Sequence, residues 1–294
     1  MKRALLGLGL CLTAAGIWAA PDYQQQASEL LIVSNRTGNA EIFLAGADGR
    51  NAKNLTNNKS DNSYSAWSPN GRQIAFASDR DGAPNIYVMD ADGGNVKQLT
   101  KGKEGSRIPS WTPDGKKIVF CRFVAGGSGI FIMDGDGSNA QQIGKDDGWD
   151  PAVSPDGKQI LFTSRRKGDG FRVYVMDLDG RNTRELTTNA NPIGYVYPSW
   201  SPDGRKIAFT DSTGGGLEIF VVDADGKNNK QLTKLGGMST YSAWSPDGKT
   251  ITFYSTSDGE SGSILTMSAA GENVRELLAD EKIVEGGRVA WRPK

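Results

Sequence analysis

The most informative chemical fact about this 294-residue sequence is an omission, because it contains no histidine. That removes the commonest general base, the Ser-His-Asp and Cys-His arrangements, and every imidazole metal ligand. No Gly-x-Ser-x-Gly elbow and no phosphate-binding loop occurs either. The acids are the remaining candidates for chemistry. Asp90-Ala91-Asp92-Gly93 and its copies resemble the start of a calcium loop, but the position of the bidentate Glu is held by Lys101, Lys145, Thr188 and Lys234. A motif repeated in this way reads as a structural turn, so no metal and no cofactor are expected. A carboxylate pair could still cleave a polysaccharide, and 34 scattered acids single out no pair. Cys121 follows a strand Phe where other copies of the same stretch carry Ala77, Thr163 and Thr210. It reads as a small packed side chain rather than a reactive thiol.

A second group of residues suits binding rather than catalysis. Three positions before each recurring Trp (or Val153) stand Tyr64, Ile108, Asp150, Tyr197, Tyr241 and Arg288. Arg107, Trp149 and Tyr195 flank them. A ring rich in Tyr and Trp with a few charges suits a protein or glycan surface. Tyrosines capping a channel and bonding to one another would give the same pattern. The candidate partner-binding set is therefore Tyr64, Arg107, Trp149, Asp150, Tyr195, Tyr197, Tyr241 and Arg288.

These residues are positioned by a repeat. Trp67-Ser68-Pro69-Asn70-Gly71 recurs as Trp111 to Gly115, Val153 to Gly157, Trp200 to Gly204 and Trp244 to Gly248, with a truncated copy at Trp291-Arg292-Pro293. Each full copy precedes an apolar stretch such as Ile74-Ala75-Phe76. A second strand and turn then follow, such as Ile86 to Gly93. Spacings of 44, 42, 47, 44 and 47 residues suit a propeller blade of four strands, a to d from the channel outward. The first unit begins at strand b (Leu30 to Ser34) and the chain finishes with an orphan strand a (Arg288 to Trp291). The expected fold is thus an all-β, six-bladed β-propeller of four-stranded blades over 20–294, its first blade closed by the C-terminal strand. The a-to-b and c-to-d turns would share one nearly uniform face, and the b-to-c and d-to-a loops a variable one, the better place for a site.

The bulk properties fit an exported protein. Met1-Lys2-Arg3, an apolar run from Ala4 to Ile17 and small residues at Ala19 and Ala20 form a signal-peptide pattern, expected to occupy 1–19. Cys11 lies inside the run, so only Cys121 survives processing and no internal disulfide can form. Loss of Lys2 and Arg3 leaves 32 basic against 34 acidic residues, which argues against a nucleic-acid binder. No later stretch is long and apolar enough to span a bilayer, and a monomer in the periplasm or outside the cell is expected.

The units around Trp-Ser-Pro-Asp-Gly and Ile-Tyr-Val-Met-Asp-x-Asp-Gly resemble the β-propeller repeats of the TolB family, from Leu30 to Lys294. The resemblance implies a periplasmic propeller that binds an envelope protein, a Pal-like lipoprotein, at its channel mouth. With only Ala20 to Ser28 between the leader and the first strand, the chain looks like that propeller without the N-terminal domain that precedes it in TolB. Similar repeats occur in prolyl-oligopeptidase-type peptidases and in oligogalacturonate lyases, the latter with a histidine-based site. A glycan-binding module and a carboxylate-based lyase or glycosidase therefore stay open beside a non-catalytic scaffold. N-terminal sequencing of exported protein should find the first nineteen or so residues removed; full-length chain recovered from the cytoplasm would refute export.

Overall fold

Tight turns between short apolar strands dictate the architecture. The computed structural model describes residues 29–145, 147–188, 191, 196–212, 214–257, 262–278 and 288–294. The leader expected over 1–19 lies outside them. In chain order the described strands begin with β1 (Glu29–Ser34), β2 (Glu41–Gly46) and β3 (Lys53–Asn54). A second group is β4 (Asn62–Trp67), β5 (Gln73–Ser78), β6 (Asn85–Asp90) and β7 (Lys97–Gln98). A third is β8 (Ser106–Trp111), β9 (Lys117–Val124), β10 (Gly127–Asp134) and β11 (Gln141–Ile143). The fourth is β12 (Trp149–Val153), β13 (Gln159–Ser164), β14 (Arg172–Asp177) and β15 (Arg184–Glu185). There follow β16 (Ser199–Trp200), β17 (Lys206–Ser212), β18 (Leu217–Asp223) and β19 (Lys230–Gln231), then β20 (Met238–Trp244), β21 (Thr250–Thr256), β22 (Gly262–Ser268) and β23 (Arg275–Leu278). The last, β24 (Ala290–Trp291), returns to lie antiparallel to β1, with Leu30 opposite Trp291 and Leu31 opposite Ala290.

The fold is an all-β propeller, and the expected six four-stranded blades closed by the C-terminal strand must be corrected. The described strands form four four-stranded sheets and one sheet of eight, which runs from β16 to β23. Its two halves join through a parallel bridge between Leu217 of β18 and Met238 of β20, with Leu217 N–H donating to Gly237 O at 2.9 Å. Motif spacing counts hairpin repeats but is blind to hydrogen bonds between neighbouring repeats. Here β19 pairs only with Phe220 and Val221, leaving the start of β18 uncovered. Gly216 and Gly237 let the two backbones meet, since a Cβ at Gly216 would strike the Gly237 carbonyl and one at Gly237 the Thr256 carbonyl.

Each repeated motif has a visible job. In the first turn Ser68 Oγ receives the Gln73 N–H at 2.9 Å and donates to Asn70 Oδ1 at 2.8 Å, while Gly71 takes a φ of 64°. Asp156, Asp203 and Asp247 accept the hydroxyls of Ser154, Ser201 and Ser245 in the same way, which holds their carboxyls below the usual range. In Asp90-Ala91-Asp92-Gly93, Asp90 Oδ2 accepts from Asn95 Nδ2 at 2.6 Å and Asp92 Oδ1 from Gly94 N–H at 2.9 Å. The same Asn-to-Asp bond recurs at Asn139, Asn182 and Asn228, so these carboxylates organise turns.

Between the sheets lies the core. Phe76, Phe120, Phe162, Phe209 and Phe253 are fully buried, and Trp67, Trp111 and Trp244 are nearly so. The indoles pack against the preceding repeat of the ring: Trp67 Nε1–H reaches Ala290 O at 3.2 Å, Trp200 Nε1–H reaches Ala152 O at 3.1 Å, and Trp291 Nε1–H reaches Thr252 Oγ1 at 3.2 Å. Burying one such ring removes on the order of 150–250 Å² from water, an upper estimate of about 4–6 kcal/mol.

Arg292 adds a clamp at the chain ends, pairing with Glu29, donating to Gly71 O at 2.8 Å and covering the Trp67 ring at 4.9 Å. Deleting 289–294 should therefore cost at least as much as Trp200→Ala, about 3–5 kcal/mol, and expose the edge of β1 to aggregation. Calorimetric melting with light scattering checks this; an unchanged midpoint without scattering would refute it.

Candidate binding face at the channel mouth

A repeated distortion turns side chains toward the channel. The innermost strands β4, β8, β12 and β20 each break register, between Ser63 and Ala66, Arg107 and Ser110, Trp149 and Ala152, and Thr240 and Ala243. At the breaks sit Tyr64, Ile108, Asp150 and Tyr241 with φ of 53°, 59°, 52° and 56°, and Tyr197 takes 41° just before β16. Left-handed backbone at bulky residues costs on the order of 1–3 kcal/mol each and persists only where the surroundings enforce it. A bulge of this kind re-aims the side chain it carries.

Several of the re-aimed groups meet. The Tyr197 and Tyr241 rings lie 4.1 Å apart between centroids, and the Tyr241 hydroxyl donates to that of Tyr197 at 3.1 Å. Arg288 places its guanidinium 5.8 Å from the Tyr197 ring centroid and 3.7 Å from Asp150 Oδ1. Asp150 also accepts from Thr163 Oγ1 at 3.1 Å and from the Tyr197 backbone N–H. Burial pushes the Asp150 carboxyl above its usual range, with Arg288 opposing the shift. Burial also raises the Tyr197 hydroxyl, reinforced by Tyr241 and Asp150.

The structure thus divides the expected site residues by access. Tyr64, Asp150, Tyr197 and Tyr241 are 4–7% exposed and form a buried floor, with Arg288 half-buried among them. Arg107 and Trp149 are half-buried at the rim, and Tyr195 lies outside the described residues. Cys121 is buried beneath this region, its thiol pushed up to about 12 chiefly by that burial, which makes it an inert packed side chain.

The rim holds residues the spacing argument passed over. Phe123, 37% exposed, carries the Arg107 guanidinium 5.6 Å from its ring centroid. Trp149 packs edge-on against Phe171 at 5.3 Å, with the exposed Arg165 5.9 Å from the indole. The signal for Arg165 and Phe171 is their place in a b-to-c loop, and for Phe123 its place at the loop end of strand b, both of which open on the same face. Around the ring, a cavity of about 370 Å³ between the β1–β2 turn and β4 is lined by Asn35, Asn39, Asp61, Asp79, Tyr64 and Arg107. Among the described residues no cluster of acids and cysteine could hold a metal ion.

A family model described as the TolB beta propeller domain matches residues 10–191 and 193–290. The chain belongs to the TolB β-propeller family. The TolB of Acinetobacter baumannii superposes with a TM-score of 0.76 at 26% identity, over 91% of this chain and 67% of that one. Two curated relatives match shorter segments. The uncharacterized peptidase YuxL of Bacillus subtilis is 42% identical over 71 residues, 24% of this chain, and the Tol-Pal system protein TolB of Nitrosomonas europaea is 42% identical over 52 residues, 18% of this chain. Those matches span 10% and 12% of the relatives' own lengths.

Two substitutions probe the floor. Tyr241→Phe should cost about 1 kcal/mol through loss of its bond to Tyr197. Asp150→Asn tests the raised carboxyl. A carboxyl harder to ionise when folded favours folding below its unfolded value of about 4 and loses that contribution as pH climbs toward the folded value. The stability of Asp150→Asn relative to the parent should therefore rise between pH 4 and 7. Denaturant titrations across that range check it, and a pH-independent difference would show that the carboxyl is not raised.

Proposed function

We propose that this chain is an exported, non-catalytic scaffold of the cell envelope that docks a protein partner on its channel-mouth face. The observation that carries the reading is the rim, where Phe123 and Trp149 lie under the guanidiniums of Arg107 and Arg165. Aromatic side chains held rigid by cation–π contacts are the usual anchors of protein interfaces. Tyr64, Asp150, Tyr197, Tyr241 and Arg288 act beneath as the floor that fixes the rim. Membership of the TolB family and similarity to a protein named for the Tol-Pal system support a Pal-like lipoprotein as partner and the periplasm as location. The missing histidine and the use of the repeated acids in turns support a role without catalysis.

Titration calorimetry with the soluble domain of a Pal-like lipoprotein tests the assignment. Phe123→Ala, Trp149→Ala and Arg107→Ala should each weaken binding by about 2 kcal/mol, roughly thirtyfold, with melting midpoints near that of the parent. Equal affinity across the variants would move the interface elsewhere. Binding of glycans alone, or turnover of a polysaccharide, would replace the reading.

A further inference from the structure

The channel below the floor is a built cavity with its own chemistry. Its volume is about 370 Å³, and it runs from Tyr64 and Arg288 toward Pro69 of the Ser68–Gly71 turn and Pro293 of the truncated C-terminal copy of that motif. It is therefore approached from the face opposite the docking rim. Among its lining residues Arg288 is the one charged side chain, and no carboxylate faces it.

Four polar atoms on this wall are unsatisfied. Ser65 Oγ, Ser199 Oγ, Ser242 Oγ and Arg288 Nη2 are buried without a hydrogen-bond partner among the described residues. Ser65 and Ser242 are 3% and 6% exposed. Buried donors without partners cost about 1–3 kcal/mol apiece and mark places where something else completes the bonding. The four are not spread evenly. They come from β4, β16, β20 and the residues leading into β24, which neighbour one another around the channel. The facing strands β8 and β12 present Pro109, Pro151, Ala152 and a serine, Ser110, whose Oγ already accepts the Val153 N–H at 3.1 Å.

We propose that this cavity binds a small monovalent oxyanion of the carboxylate class, seated on the Arg288 guanidinium and the hydroxyls of Ser65, Ser199 and Ser242. A cation would meet Arg288 with no acid in the wall to offset it. An apolar molecule would leave three hydroxyls and a guanidinium N–H dry. Asp150 is Arg288's counter-charge, but it stands 3.7 Å away and is itself disfavoured as an anion by burial, so the guanidinium has charge to share with a ligand on its cavity side. A carboxylate matches it through charge-assisted hydrogen bonds and accepts from the serines with its remaining lone pairs.

Acetate is the probe. Titrated into the full chain at fixed pH, with chloride replaced to hold ionic strength, it should raise the melting midpoint saturably, while chloride alone should not. In both Arg288→Met and Ser65→Ala/Ser242→Ala the apparent acetate affinity should fall about tenfold or more. The serine variant keeps the test decisive if the arginine variant fails to fold. Crystals grown with acetate should show it between Arg288 and the hydroxyls. Water alone in that density, a response equal to chloride, or unchanged affinity in the serine variant would overturn the proposal. None of these outcomes depends on the docking rim.

Discussion

No repeat in this chain owns its core. The strand-b Phe of one repeat and the Trp that ends its own inner strand fill a seam against the sheet before it. Tyr64, Ala75 and Ile86 of the second sheet, for example, share a cluster with Ile108, Trp111 and Phe120 of the third. A four-stranded sheet alone would leave two apolar faces in water, so each is stable only between two neighbours. The first sheet meets that demand through the far end of the chain, where Val289 and the flanking Trp291 join Leu30, Phe43 and Leu278. Everything else, the channel included, follows from the inner strands being drawn together by these seams.

The consequence is two faces with different freedom. On one, Ser-Pro-Asp-Gly and Asp-x-Asp-Gly turns are fixed by short side-chain hydrogen bonds, and little can vary without breaking a hairpin. On the other, the loops need only reach the next strand, and they carry the aromatic and cationic groups of the rim. Arg80 and Arg166 show how this face is reinforced. They cover the Phe76/Tyr87 and Phe162/Tyr174 pairs at 4.4–5.4 Å, closing the outer ends of the seams with a planar charge that stays hydrated.

Much of this could be read from the residues. Trp67-Ser68-Pro69-Asn70-Gly71 and its copies announce both the hairpin and the propeller, because Pro, Asn or Asp, and Gly each have one physical use in that order. The inward aim of Tyr64, Asp150, Tyr197 and Tyr241 was also visible from their offset to Trp or Val153. Their burial was not, since it depends on left-handed backbone that bulky residues rarely adopt and that no local propensity foretells. The Leu217–Met238 bridge escaped for a different reason: it arises from glycines at 216 and 237, far enough apart in sequence that their meeting is a tertiary event. The rim was half legible. Arg107 and Trp149 sit beside the repeat motif, whereas Phe123 lies at the far end of the lengthened strand β9 and Phe171 in the β13–β14 connection, past the part of the repeat that is uniform.

The bulged inner positions separate backbone shape from chemical content. A phenol, an aliphatic chain and a carboxyl occupy equivalent places at Tyr241, Ile108 and Asp150 with φ values within a few degrees of one another. The strain is thus set by the ring of strands and not by the side chain displayed. Such positions behave as interchangeable sockets. One protein can acquire a different channel lining, and with it a different selectivity, by exchanging residues there while the hairpins, seams and turns that hold the ring remain as they are.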